Sequence, residues 1–273
     1  MTALLKIELR RAFFNYRFAA ALVLAIVIVI AHLVWSVIPA SYEQEMYVDL
    51  VGYPLSVFNR WIGGWSGSVF PALFFLVLPL LVCLPYSDSI YVDRKDGWAA
   101  QAISRNSARS YYVSKFATAF AVGVVVSCVP LMLDFYLTSL FLPMGQPSAA
   151  SGLFPIFPYS MWGDIYYSNA FQYTGMYLAL IAVTSGLLAC IPLSLSRVLT
   201  NRAIVLCSAF FLCIVLEYLF GSGDFVFLSP STFMRPDQPQ WGLEFPSIAL
   251  TLGVVGAAEA AALVTYWRAD ESL

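Results

Sequence analysis

Six stretches of the chain, roughly 18–38, 69–87, 114–142, 171–195, 203–220 and 247–267, are apolar for about 18 residues or more. About 20 helical residues at 1.5 Å each cross a ~30 Å hydrocarbon core, so each stretch is a candidate transmembrane helix. Lipid offers the backbone no hydrogen-bond partners, which leaves only helices or a closed barrel. The runs are continuous rather than alternating, so helices are expected. The chain is 60% hydrophobic and 11% charged, with a mean hydropathy of +0.78; a soluble domain carries roughly 25% charged residues. The expectation is an all-α integral membrane protein forming one transmembrane domain over 1–273. A basic N-terminus before an apolar run resembles a signal peptide. The first run, at about 21 residues, exceeds a 7–15-residue signal core and is read as a retained span.

Positive charge sets the orientation. Six spans place Lys6, Arg10, Arg11, Arg17, Arg94, Lys95, Arg105, Arg109, Lys115, Arg197, Arg202 and Arg268 on one side and only Arg60 and Arg235 on the other. Both termini are therefore expected in the cytoplasm, together with the segment "DRKDGWAAQAISRNSARSYYVSK" from Asp93 to Lys115. The outer loops, about 39–68, 143–170 and 221–246, are rich in Pro, Gly, Ser and aromatic residues suited to an interfacial belt. Residues 2–17 place Leu5, Leu9, Phe13 and Tyr16 at helical spacing, with Lys6, Arg10 and Arg17 off that stripe. This predicts an amphipathic helix in the inner interface; the plainer reading is a basic flank that only sets topology.

Several chemistries are missing. No G-x-x-x-x-G-K-[ST] phosphate loop is present. The net charge of -2 gives no sign of a nucleic-acid partner. Cys83, Cys128, Cys190, Cys207 and Cys213 lie within apolar runs as small hydrophobes, without metal-ligand spacing. "GGWSGS" at 63–68 lacks the spacing of a nucleophile elbow and reads as a glycine-rich loop.

Four ionisable residues fall inside spans: His32, Asp134, Glu217 and Glu259. Such residues are costly in lipid and are functional candidates. Asp134 lies roughly 28 Å along an outward-going helix, near the outer surface. Glu217 and His32 fall in the outer third, so these three are expected to reach water or headgroups. Glu259 falls near mid-bilayer and has to face the protein interior, a cavity or a subunit contact. Small neighbours, Gly253, Gly256, Ala257 and Ala260, suit close helix packing.

The residues around the second and third spans resemble the permease subunit of ABC-2-type ATP-binding-cassette transporters. Asp88 supplies an early acid, and Asp93 stands four before Gly97. Arg109 lies in a serine/arginine turn, and "YYVSK" ends on Lys115; "KIELRR" at 6–11, with Lys6, Glu8, Arg10 and Arg11, is similar to the family's elbow helix. Aspartate stands at 93 where the family has glutamate, and Asn106 about where many members have proline. The wording of "SARSYYVSK" is closest to the branch linked to peptide-antibiotic export or self-immunity.

The resemblance implies an elbow helix followed by six transmembrane helices in a bacterial cell membrane. It implies a second permease chain, identical or a similar paralogue, and two copies of an ATPase subunit. ATP and Mg would be bound by that ATPase, so the chain would not itself be an enzyme. The implied ATPase-coupling residues are Asp88, Asp93, Arg94, Lys95, Asp96, Gly97, Arg105 and Arg109, within a cytoplasmic segment 88–113, and Lys115 at the start of the third span. A plainer reading of those cations is contact with anionic lipid. The interleaved Asp88, Asp93 and Asp96 suit a protein partner better. Two other readings stay open: a self-sufficient ion-coupled carrier using Glu259 and Asp134, and a membrane scaffold or sensor.

Overall fold

A computed structural model describes residues 2–43, 48, 55–64, 68–148, 156–237 and 243–271, whose regular elements are all helices, with no strand among them. Parts of all three outer loops expected from the sequence, including residues 65–67 of "GGWSGS", lie outside the described residues. Helix α1 (Thr2–Phe13) ends in a bend, and Asn15 caps α2 (Tyr16–His32) by accepting from the Phe18 amide at 2.8 Å. A π-helical turn, Leu33–Val37, leads into α3 (Ile38–Tyr42). Then follow α4 (Val57–Arg60), α5 (Val69–Cys83), α6 (Ser89–Lys95), α7 (Trp98–Arg105) and α8 (Ala108–Ser139). The remainder comprises α9 (Gly163–Ser168), α10 (Ala170–Leu195), α11 (Arg202–Phe220), α12 (Pro230–Phe233) and α13 (Phe245–Glu271).

Five segments are long and apolar enough to cross a bilayer: Tyr16–Tyr42, Ala108–Ser139, Ala170–Leu195, Arg202–Phe220 and Phe245–Glu271. The architecture is that of a multi-pass membrane protein. The remaining apolar stretch, expected at 69–87, forms the 15-residue α5 and then turns through 84–88. At ~1.5 Å per residue α5 spans about 22 Å, less than a full hydrocarbon core. Outward faces are apolar: Val23, Val27 and Ile30 on α2, Phe211 and Val215 on α11, Leu250 and Val254 on α13 are all exposed. Patches of that extent are stable only against lipid or another protein.

The centre of the bundle is the pairing of α8 with α10. Gly123 makes it possible: a Cβ there would meet Ser185 O at 2.5 Å and the Ala189 Cβ at 2.9 Å. Small residues at such a crossing let two membrane helices approach closely. At one end, which carries most of the Lys and Arg, α1, α6 and α7 pack against the start of α8. Gly97 joins α6 to α7 in the left-handed region, φ 74°, which glycine adopts without the Cβ penalty.

Two expectations change here. The segment 88–113 is two short helices and the first turns of a third. Ser107 Oγ accepts from the Ser110 amide at 3.2 Å, so α8 starts at Ala108 and Arg109 and the "YYVSK" residues are helical. The buried line of α1 is Leu4, Glu8 and Ala12; Leu5, Leu9 and Phe13 flank it, and Tyr16 is exposed because the chain breaks before it. The line differs because α1 lies on α8, where a buried Glu8 finds a cation.

Candidate functional site

Glu8, fully buried, accepts from Lys115 Nζ at 3.0 Å, from Arg11 Nη1 at 3.2 Å and from the Tyr86 hydroxyl. Asp93 accepts from Arg11 Nη2 at 2.8 Å and from the Tyr111 hydroxyl at 3.1 Å, and its Oδ2 lies 2.5 Å from Lys115 Nζ. Lys115 has no exposed side-chain surface. Two carboxylates and two cations thus form one neutral cluster joining α1, α6 and α8. A buried ion costs several kcal/mol unless charge and hydrogen bonds are both satisfied, and here they are. Aromatic faces complete the enclosure: Lys115 Nζ lies 5.0 Å from the Tyr86 ring, 5.4 Å from Trp98 and 5.5 Å from Tyr111, while the Arg11 guanidinium sits 4.5 Å from Trp98.

Two further ion pairs extend the frame at this end. Asp88, in the turn after α5, pairs with Arg17 at 2.9 Å and Arg202 at 2.5 Å, tying together the starts of α2 and α11. Arg197 pairs with Asp270 at 2.6 Å and lies 4.4 Å from the Tyr266 ring; Tyr112 also donates to Asp270. These contacts hold the end of α13 against α8 and the α10–α11 connection.

The structure divides the residues singled out in the sequence. Asp88, Asp93, Lys115 and Glu8 are buried and act inside the bundle. Arg94, Lys95, Asp96, Gly97, Arg105 and Arg109 are exposed around α6, α7 and the start of α8, as are Lys6, Arg10 and Arg11 on α1; Arg11 nonetheless reaches the cluster through its guanidinium. Arg17, Arg202, Tyr86, Tyr111 and Trp98 complete the site without having been singled out. Tyr111 stands four residues before Lys115, on the same helix face, and that spacing is the one available signal.

Burial would raise the Asp93 carboxyl, but the Arg11 hydrogen bond and the Lys115 charge outweigh it and hold Asp93 below its usual 3.8. A depressed folded value means that stability is gained above the unfolded pKa and lost as pH falls through the folded one. The wild type should therefore exceed Asp93→Asn in melting temperature at pH 7, with the gap closing only below about pH 4. A gap that is constant from pH 7 to 3 would contradict an ionised Asp93 in the cluster.

At the opposite end, two of the intramembrane residues are not water-exposed as expected. His32 and Asp134 are each about 1% exposed and bond to one another, Nδ1 to Oδ1, at 2.8 Å. Asp134 Oδ2 also accepts from the Ile62 amide at 2.7 Å. The segment from Val57 to Ile62 folds into the bundle, with Val57, Phe58, Trp61 and Ile62 buried, and this covers the pair. Glu217 is exposed and accepts from Ser229 and Thr232 hydroxyls at 2.5 and 2.7 Å. Glu259 is buried on α13. Among the described residues no group of three His, Cys, Asp or Glu side chains is placed to hold a metal. No family model, curated protein or solved structure matches the chain.

Proposed function

We propose that this chain is the membrane-spanning permease subunit of an ATP-driven exporter, coupled at its basic end to a separate ATPase. One observation carries the reading. The residues of the ABC-2-like segment and of the elbow-like helix, separated by 82 and 107 positions, lock into a single buried cluster. That cluster fixes α6 and α7 rigidly to the start of the long α8, and leaves their outer charges exposed.

Such an arrangement suits force transfer. A partner gripping the exposed face of α6 and α7 would move Asp93 and Trp98 with it. Lys115 and Tyr111 would pass the displacement to α8, Arg11 to α1, and Asp88 with Arg202 to α11. Packed elements respond to such a push by rigid-body shifts rather than by continuous deformation. In this reading the elbow helix is α1, α5 with the turns to residue 88 serves as the second of six spans, and both termini are cytoplasmic. A second permease chain completes the pathway, and ATP and Mg stay with the ATPase.

The exposed charges make the test. Reversal of Arg94, Lys95 and Arg105 together (R94E, K95E, R105E) should leave the melting temperature nearly unchanged, since surface substitutions cost about 0.5 kcal/mol or less. The same change should lower ATP hydrolysis co-purifying with the tagged chain by tenfold or more. Undiminished hydrolysis would remove this face from the coupling path. The ion-coupled carrier is less well supported, because Asp134 lies ~27 Å along α8 from Phe116, which packs beside Glu259. The two carboxylates do not form one ion path.

A further inference from the structure

Glu259 faces a groove of about 220 Å³ between α8, α10 and α13, lined by Phe116, Ala117, Phe120, Cys190, Gly256 and Leu263. The groove opens sideways on the outer surface of the bundle. Glu259 itself is 7% exposed, and its Oε1 is buried with no hydrogen-bond donor among the described residues. The five other buried carboxylates among the described residues, Glu8, Asp88, Asp93, Asp134 and Asp237, each accept two or more hydrogen bonds. A buried acceptor left without a donor costs about 1–3 kcal/mol. Nothing in the local packing forces this cost, since Glu259 already borders open space.

We propose that the groove binds a protonated amine carried on an apolar tail, with Glu259 receiving the ammonium group. The chemistry of the lining decides the class. A cation supplies both the missing donor and the opposite charge. The lining includes the aromatic side chains of Phe116 and Phe120, whose negative ring faces attract a cation rather than an anion where a ligand meets them. The apolar rim and the sideways opening suit a ligand delivered from lipid rather than from water. Glu259 stands about 18 Å from the end of α13, while Phe116 adjoins Lys115, so the groove runs from the middle of the bundle toward the basic end and the ligand enters from that leaflet. This site belongs to the chain alone and needs neither an ATPase nor transport.

The test is binding to the purified full chain in phosphatidylcholine nanodiscs, with dodecylamine and dodecanol as probes. The amine should bind at least tenfold more tightly than the alcohol. Glu259→Gln should abolish this preference while leaving dodecanol binding unchanged. Ala117→Leu, at an exposed lining position, should weaken both probes and so locate them in the groove. Melting temperatures of both variants verify folding. Adding phosphatidylethanolamine separates the sources of the amine: competition makes the lipid headgroup an occupant, and no competition points to a single-chain amphipath. Equal binding of the two probes, or a preference that survives Glu259→Gln, would overturn the proposal. So would a change of oligomeric state in Glu259→Gln without any amine preference in the wild type, which would assign the carboxyl to a subunit contact.

Discussion

Replacing Lys115 with methionine should lower stability by about 3–5 kcal/mol, the usual penalty for removing one member of a buried ion cluster. In a chain of this size that is a fall in melting temperature on the order of 10 °C. The reason is the charge balance. Glu8 and Asp93 are matched by Arg11 and Lys115, and Lys115 touches both carboxylates. Methionine fills most of the volume but leaves one negative charge on two buried carboxylates without compensation. The double variant Glu8→Gln with Lys115→Met restores neutrality, and the new side-chain amide can still accept from Arg11 and Tyr86. It should recover at least half of the loss. If the two single losses simply add, the groups are not energetically coupled and the cluster does not work as one unit.

The second large effect lies at the other end of α8. Asp134→Ala should cost about 2–6 kcal/mol, because it strips partners from two buried groups at about 1–3 kcal/mol each. These groups are the Ile62 amide and His32 Nδ1. Asp134→Asn should cost less than half as much. Its carbonyl can accept from Ile62, and its amide can donate to Nδ1 of a neutral imidazole. The comparison is read in thermal melts of the detergent-purified chain. Equal losses for Ala and Asn would mean that the ionised carboxylate, rather than its hydrogen-bond geometry, holds the 57–62 segment in place.

These two sites show what the sequence can and cannot convey. Apolar runs reveal the long helices because crossing lipid demands an uninterrupted stretch, and the first, fourth, fifth and sixth agree closely with Tyr16–Tyr42, Ala170–Leu195, Arg202–Phe220 and Phe245–Glu271. Run length does not show that α5 stops at Cys83 or that the chain turns into α6. Asp134 does lie toward the far end of its helix, but counting residues from the helix start says nothing about what folds over that end. Trp61 and Ile62 do that here. The π-helical turn after His32 has no marker in "LVWSV".

The basic end is harder still to read. Glu8 stands as one polar residue in a basic flank, and only its contact with Lys115 explains why the buried line of α1 runs through it. Lys115 counts among twelve cations on one side, yet it is fully buried and does not meet solvent or lipid headgroups. Long-range charge pairing leaves no periodicity, so the partners Arg17 and Arg202 of Asp88 cannot be found from spacing. What the sequence does carry is the grouping of these residues into two short segments, which the fold then brings together.

A single cross-linking measurement bears most directly on the proposed coupling. Gln101 is exposed on α7, and Gln146 marks the far end of the bundle, where it donates to the Tyr166 carbonyl at 2.9 Å. A photoreactive probe on Gln101→Cys, in intact membranes, should capture a soluble ATP-hydrolysing protein, and capture should fall when the R94E, K95E and R105E changes are added. The same probe on Gln146→Cys should not capture it. If no nucleotide-hydrolysing protein is captured from Gln101→Cys, and the purified chain alone moves its substrate across liposomes without ATP, the chain is a self-sufficient carrier and the coupling account is wrong.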